Sequence, residues 1–245
     1  MTQSNSTLQY HIKMSSGDIG RYVLLPGDPG RVPLIASFLD NAQLVAENRE
    51  HRTYTGSVQG TQVSVTSTGI GGPSTAIAVE ELAKLGADAF IRVGTSGMMQ
   101  DFINPGNLIV VSGAVRDEGT ALHYMPIDFP AIADLDVVEC LRQACETTGV
   151  TYHVGLSHSK DSFYGEVEPD RMPISRTLKH RWDAWVHAGV LCSEMEAAAL
   201  FVLASTLGKR AGGIMVAGGS HDGLDPLCKT AVESIRMLID LDNVS

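Results

Sequence analysis

Residues 62–97 read QVSVTSTGIGGPSTAIAVEELAKLGADAFIRVGTSG, and this stretch decides the fold. Gln62 to Thr66 alternates in polarity, as a half-buried strand does. Ser74 to Leu85 places Ala78, Leu82 and Leu85 on one helical face, and Gly86 supplies the stop. Ala89 to Val93 is a short apolar run that suits a buried strand. Strand, helix and buried strand in that order predict an α/β domain. Outward from this unit, Tyr22 to Leu25, Leu108 to Ser112 and Gly213 to Ala217 read as further strands. Asp134 to Thr148, Glu194 to Leu207 and Asp225 to Leu241 read as helices, the first two ended by Gly149 and Gly208. Asp117 to Ala133 and Ser162 to Pro173 carry Gly and Pro without a clear period and are expected to be long functional loops. No repeat or linker interrupts the chain, so one domain over residues 1–245 is expected.

The formal net charge is −10, which leaves no basic excess to hold the phosphates of nucleic acid or an anionic membrane. A small anionic substrate stays open, because a few local arginines outweigh an average field. The cysteines, Cys140, Cys145, Cys192 and Cys228, form no CxxC pair and read as free thiols of a reducing compartment. Met1 to Thr7 is polar and lacks the apolar core of a signal peptide. No apolar run approaches the ~20 residues of a membrane span. A soluble, cytoplasmic protein is expected.

Four motifs carry chemistry. Pro26-Gly27-Asp28-Pro29-Gly30-Arg31 lies where a strand gives way to a helix; it suits an anion held by backbone N–H groups and a guanidinium, or a plain turn. Arg92 interrupts the apolar strand of Ile91-Arg92-Val93-Gly94-Thr95-Ser96-Gly97. A charge there must meet a carboxylate or a bound anion. Thr95, Ser96 and Gly97 follow at the strand's C-terminal end, where open α/β sheets bind ligands. Glu194 and Glu196 flank Met195, and in extended backbone they point the same way, fit to grip paired hydroxyls; taken alone the pair better suits the acidic first turn of the helix that follows. Thr68-Gly69-Ile70-Gly71-Gly72-Pro73-Ser74 is glycine-rich but lacks the GxGxxG spacing, so no dinucleotide site is expected there.

Together and in this order, these motifs resemble the nucleoside phosphorylase family, over nearly the whole chain from about His11. Ser67 to Gly97, and Leu122-His123-Tyr124 with Asp128-Phe129-Pro130-Ala131, are most similar to its pyrimidine-specific members. The resemblance implies a single α/β domain with a central mixed, twisted sheet flanked by helices. It implies a pentosyltransferase that converts uridine and phosphate to uracil and ribose 1-phosphate in nucleoside salvage. Gly27, Arg31, Arg92 and Thr95 would hold phosphate, with Arg49 reaching it from a neighbouring subunit and His11 crossing to the ribose 5′-hydroxyl. Met195 and Glu196 would bind ribose, with Glu194 beside them; Phe163 would stack on the base next to Ser96 and Gly97. Glu50, Ile70 and Ser74 match positions that hold a monovalent cation, potassium for instance, between subunits of some relatives. Phosphate is then a co-substrate, no other cofactor is required, and the assembly is a homo-oligomer, a hexamer built as a trimer of dimers.

The chain departs from the family at the base. Pyrimidine-specific members usually have glutamine shortly after the Phe-Tyr pair and an arginine close behind; here Glu166 takes the glutamine's place and Arg171 follows with different spacing. Glu166 accepts from a base N–H but cannot donate unless it carries a proton. Arg171 is the candidate compensator, and Ser220-His221-Asp222 the fallback should the loop have another register. Purine-specific members end a late strand with an aspartate, where this chain has Ala217, Gly218 and Gly219, with Asp222 later. A purine or shifted base preference is the alternative. Hydrolysis ranks lower, since it has no use for Arg31, Arg49 and Arg92 together, and non-catalytic binding ranks last.

Overall fold

The computed structural model describes residues 8–219 and 223–244. The stretch quoted above folds as β4 (Thr61–Thr66), α2 (Gly72–Lys84) and β5 (Ala89–Met98). Their partner β1 (Tyr22–Leu25) lies between β4 and β5 and is parallel to both. All four residues of β1 are buried, which is why it reads as an unbroken apolar run; Ala89 to Gly94 of β5 are buried too, with Arg92 the one charge among them. On the β4 side, β3 (His51–Val58) and β2 (Asp40–Asn48) extend the sheet with antiparallel pairs.

On the other side the sheet curls back on itself. β10 (Arg210–Ala217) runs parallel to β5 and antiparallel to β6 (Leu108–Asp117). β6 pairs parallel with β8 (Tyr152–Lys160), β8 with β9 (Cys192–Glu194), and β9 returns antiparallel to Gly97 and Met98 of β5. The short β7 (Ala131–Ile132) pairs with β6. The expected mixed sheet is therefore present, and five of its strands, β5, β10, β6, β8 and β9, close a ring.

Helices α3 (Leu135–Thr148), α6 (Ala197–Thr206) and α7 (Leu224–Val244) cover the sheet with α2 and the short α1 (Val32–Ala36). Asp134 caps α3 through the N–H groups of Asp136 and Val137, and Gly149 ends it in the left-handed conformation. α6 buries Ala197 to Ala204 without interruption, because it fills the space between α2 and the sheet. α4 (Phe163–Val167) and α5 (Ser175–His187) form an outer pair beside β8; α5 buries none of its residues. The segments expected as loops thus contain α4, a 3-10 turn at Pro169–Arg171, another at Thr120–His123, and β7. Among the described residues no helix is long and apolar enough to cross a membrane.

The C-terminal helix is tied to the sheet by a charge cluster. Asp242 accepts from Arg210 at 2.6 and 2.8 Å and from the Tyr22 hydroxyl at 2.6 Å. The Arg210 hydrogen bond holds the Asp242 carboxyl below its ordinary value of 3.8, against the opposing effect of burial. Burial, with Asp242 next, pushes Tyr22 up to about 12. A carboxyl lowered in the folded state adds stability that is present above its unfolded value and lost as pH falls through the folded one. Asp242→Asn is therefore expected to cost about 1–3 kcal/mol at neutral pH and to flatten the acid limb of stability below about pH 3.8. Urea unfolding from pH 2 to 7 checks this; parallel curves for both proteins would contradict it.

Candidate active site

The C-terminal ends of β1, β5 and β9 open into a cavity of about 880 Å³, the crevice position expected for an α/β sheet. At one end stand Gly27, Arg31, Arg92 and Thr95. Arg92 is buried on β5 and held by two partners: its Nη2 donates to Glu196 Oε2 at 2.5 Å and its Nη1 to the Leu25 carbonyl at 3.2 Å. Its Nε is buried and donates to none of the described residues. Glu196 uses its second oxygen to accept from the Gly71 N–H at 2.6 Å. Burial lowers the proton affinity of Arg31; Asp28 opposes this, and the like charge of Arg92 adds to it. Two guanidiniums close enough to oppose one another create a field suited to an anion.

Gly27 is small for a reason. A Cβ there would lie 3.3 and 3.4 Å from the two Arg92 Nη atoms and 3.2 Å from the Gly69 carbonyl oxygen. The turn after β1 differs from the expected helix-start anion site, because Asp28 Oδ1 accepts from the Gly30 N–H at 2.8 Å. The anion-holding groups there are side chains more than free backbone donors.

Met195, Glu194 and Glu196 form the middle of the wall. Glu194 and Glu196 do not point the same way. Glu194 is the last residue of β9, with Oε1 accepting from the Ser157 and Ser159 hydroxyls and Oε2 from the Glu196 and Ala197 N–H groups. It caps α6, whose regular turns begin three residues later than the sequence suggested, and its four donors leave Glu196 as the carboxylate directed at Arg92. Burial first, and Glu196 second, push the Glu194 carboxyl up.

At the other end Ser96, Gly97, Phe163 and Glu166 come together. Phe163 is half exposed at the mouth and packs edge-on against Tyr164, ring centroids 5.4 Å apart. Glu166 faces inward from α4, but its expected compensator does not. Arg171 pairs with Glu168, its guanidinium lies 5.3 Å from the Tyr164 ring centre, and it does not line the cavity. The 3-10 turn at Pro169–Arg171 turns it outward. The cation beside Glu166 is Lys160, whose Nζ lies 2.8 Å from Glu166 Oε2 and donates to Ser193 Oγ at 2.7 Å. Ser193 Oγ also donates to Glu166 Oε2. The sequence reading missed Lys160 and Ser193. Arg92 stands out because its neighbours Ile91 and Val93 are apolar, whereas Lys160 follows Ser157, His158 and Ser159 and carries no such signal.

Three other expected groups lie apart or outside. His11 pairs with Glu81 at 2.7 Å and lines a separate cavity with Pro73 and Tyr124. Arg49 is exposed in the β2–β3 turn with φ of 56° and does not line this chain's site. Ser220-His221-Asp222 lies outside the described residues. Glu50, Ile70 and Ser74 line the rim, where Ser74 Oγ donates to Glu50 Oε1 at 2.8 Å.

The profile of the Phosphorylase superfamily matches residues 21–235. The chain is 45% identical to uridine phosphorylase of Treponema pallidum (strain Nichols), covering 96% of each chain. It is 50% identical to uridine phosphorylase of Thermococcus kodakarensis over 86% of this chain and 76% of that one. Guanosine phosphorylase of Halorubrum lacusprofundi is 40% identical over 86% and 83%.

Proposed function

Since this chain belongs to the phosphorylase superfamily, we propose that it catalyses phosphorolysis of uridine, giving uracil and ribose 1-phosphate. The observation that carries the reading is the cationic end of the cavity: two arginines, a buried Nε donor without a described partner, and Glu196 alongside, in one space with the Lys160–Glu166 pair. Phosphate held by Arg31, Arg92 and Thr95 sits beneath C1′ of a ribose bound along Met195 and Glu196. As the glycosidic bond stretches, the sugar becomes cationic and the held phosphate meets it; the arginines position the anion. The base collects negative charge, which Lys160 meets directly. Phe163 covers the base.

Glu166 Oε1 accepts from none of the described residues, and Lys160 has donated to two partners with three N–H bonds available. An acceptor beside a donor fits adjacent N–H and C=O groups, an edge that uracil and guanine share. That match, and the relative named guanosine phosphorylase, make guanosine the second reading. The test is a panel of uridine, guanosine, inosine and cytidine at saturating phosphate. Uridine is expected to have the highest kcat/KM; guanosine ahead of it would overturn the base assignment.

His11 and Arg49 stand away from this chain's own cavity, and we propose that each serves a neighbour's site in a homo-oligomer, a hexamer assembled from dimers, of the cytoplasm. The Glu50 carboxylate, Ser74 hydroxyl and Ile70 carbonyl are oxygen donors on one rim and would hold a monovalent cation between subunits.

A further inference from the structure

We propose that Asp117, His158 and Ser193 form a proton relay that ends on Glu166, an inference that rests on this end of the cavity receiving the departing base. His158 lies on β8, buried, with Nε2 2.9 Å from Asp117 Oδ2 and Nδ1 3.4 Å from Ser193 Oγ. A carboxylate only accepts, so His158 Nε2 carries a hydrogen. Ser193 Oγ has one hydrogen and three neighbours: Lys160, Glu166 and His158. Lys160 only donates.

Two arrangements satisfy every contact. In the first, His158 is doubly protonated, its Nδ1–H donates to Ser193 Oγ, and Ser193 donates to an ionised Glu166. In the second, Glu166 carries a proton on Oε2 and donates to Ser193, which donates to a neutral His158 at Nδ1. The partners are identical. Passing from first to second breaks the Nδ1–H and Oγ–H bonds and forms an Oγ–H and an Oε2–H bond, with no change of oxidation state. One imidazolium and one carboxylate become two neutral groups. The consequence is catalytic. An ionised Glu166 opposes the charge that builds on the leaving base, and the shift removes that opposition at the moment it matters. The proton returns when the product leaves. The 3.4 Å step is the longest, and such contacts commonly tighten in the substrate complex.

The surroundings fit the task. Asp117 is held on its other oxygen by Arg181 of α5. The Trp182 and Trp185 rings stand 6.4 and 5.9 Å from the His158 ring and line a second cavity with it. The charged groups facing His158 are Asp117 from β6, Lys160 of its own strand and Glu166 from α4. Asp161, Lys179, Arg181 and Asp183 complete the charge around the second cavity, of about 440 Å³, that backs onto the relay. His158 and Asp117 are positioning residues that act through Ser193.

The test is a double-mutant cycle read across pH. Asp117→Asn is expected to lower kcat for uridine at least about tenfold and to move the pH profile, short of the ~10²–10⁴ typical of a direct acid or base. In a Glu166→Gln background the same change should have little effect, because the relay has no terminus. Equal losses in both backgrounds would overturn the proposal and leave Asp117 a merely structural role. A second measurement needs no turnover and no Asp117 variant. The ¹⁵N signals of the His158 ring, followed by NMR through pH, should shift between the native protein and Glu166→Gln. Superimposable titrations would overturn the relay whatever the substrate. Shifted titrations in a protein that leaves uridine intact would instead remove the uridine reading and keep the relay.

Discussion

Arg92→Ala is expected to lower kcat/KM for phosphorolysis by about 10²–10³-fold, the loss typical of one preorganised donor aimed at transition-state charge. Arg92 is placed for that role by sequence and by fold. It is the one charged residue of β5, its Nη2 is locked by Glu196 at 2.5 Å, and its Nε has no described protein partner. The loss should fall on the phosphate KM as well as on kcat, because the same guanidinium binds and orients the anion. Arg92→Lys keeps the charge and loses the fork, so it should recover only part of the activity. Steady-state kinetics with phosphate as the varied substrate read both effects. An Arg92→Ala protein with native phosphate KM would remove Arg92 from the phosphate site.

Glu196 has the second large effect, and it combines stability with activity. Its Oε2 accepts from Arg92 and its Oε1 from the Gly71 N–H at 2.6 Å, where the positive φ of Gly71 begins α2. Both partners donate, so Glu196→Gln must turn its amide N–H₂ toward one of them and set donor against donor. Glu196→Ala leaves a buried guanidinium unpaired, a change that costs about 3–5 kcal/mol. Both variants are expected to lose activity; the Ala variant should also unfold at markedly lower denaturant. Bound phosphate should restore part of its stability, since an anion would then pair with Arg92. An unchanged midpoint for Glu196→Ala would contradict the pairing.

Much of this was legible in the sequence wherever a buried strand carried its own signal. β1 was read with its observed ends, and Arg92 stood out because its neighbours Ile91 and Val93 are apolar. β8 was not legible, because its polarity is inverted. Val154 and Leu156 are exposed while Ser157 to Lys160 are buried, so the segment that carries His158 and Lys160 shows no strand pattern. α5 buries nothing and so carries no apolar stripe. The same region misplaced Arg171: the Glu168–Arg171 pair and the 3-10 turn, both local, send it to the surface. The closing of the sheet through β10 and β6 rests on pairing between strands some hundred residues apart, which no local pattern encodes.

Transfer of a pentosyl group to phosphate in this cavity is the step on which every role above depends. It is tested most directly by incubating the native protein with uridine, with and without inorganic phosphate, and assaying uracil and ribose 1-phosphate. Equimolar uracil and ribose 1-phosphate are expected, formed only when phosphate is present. Uracil released at the same rate without phosphate, with free ribose as the other product, would contradict it.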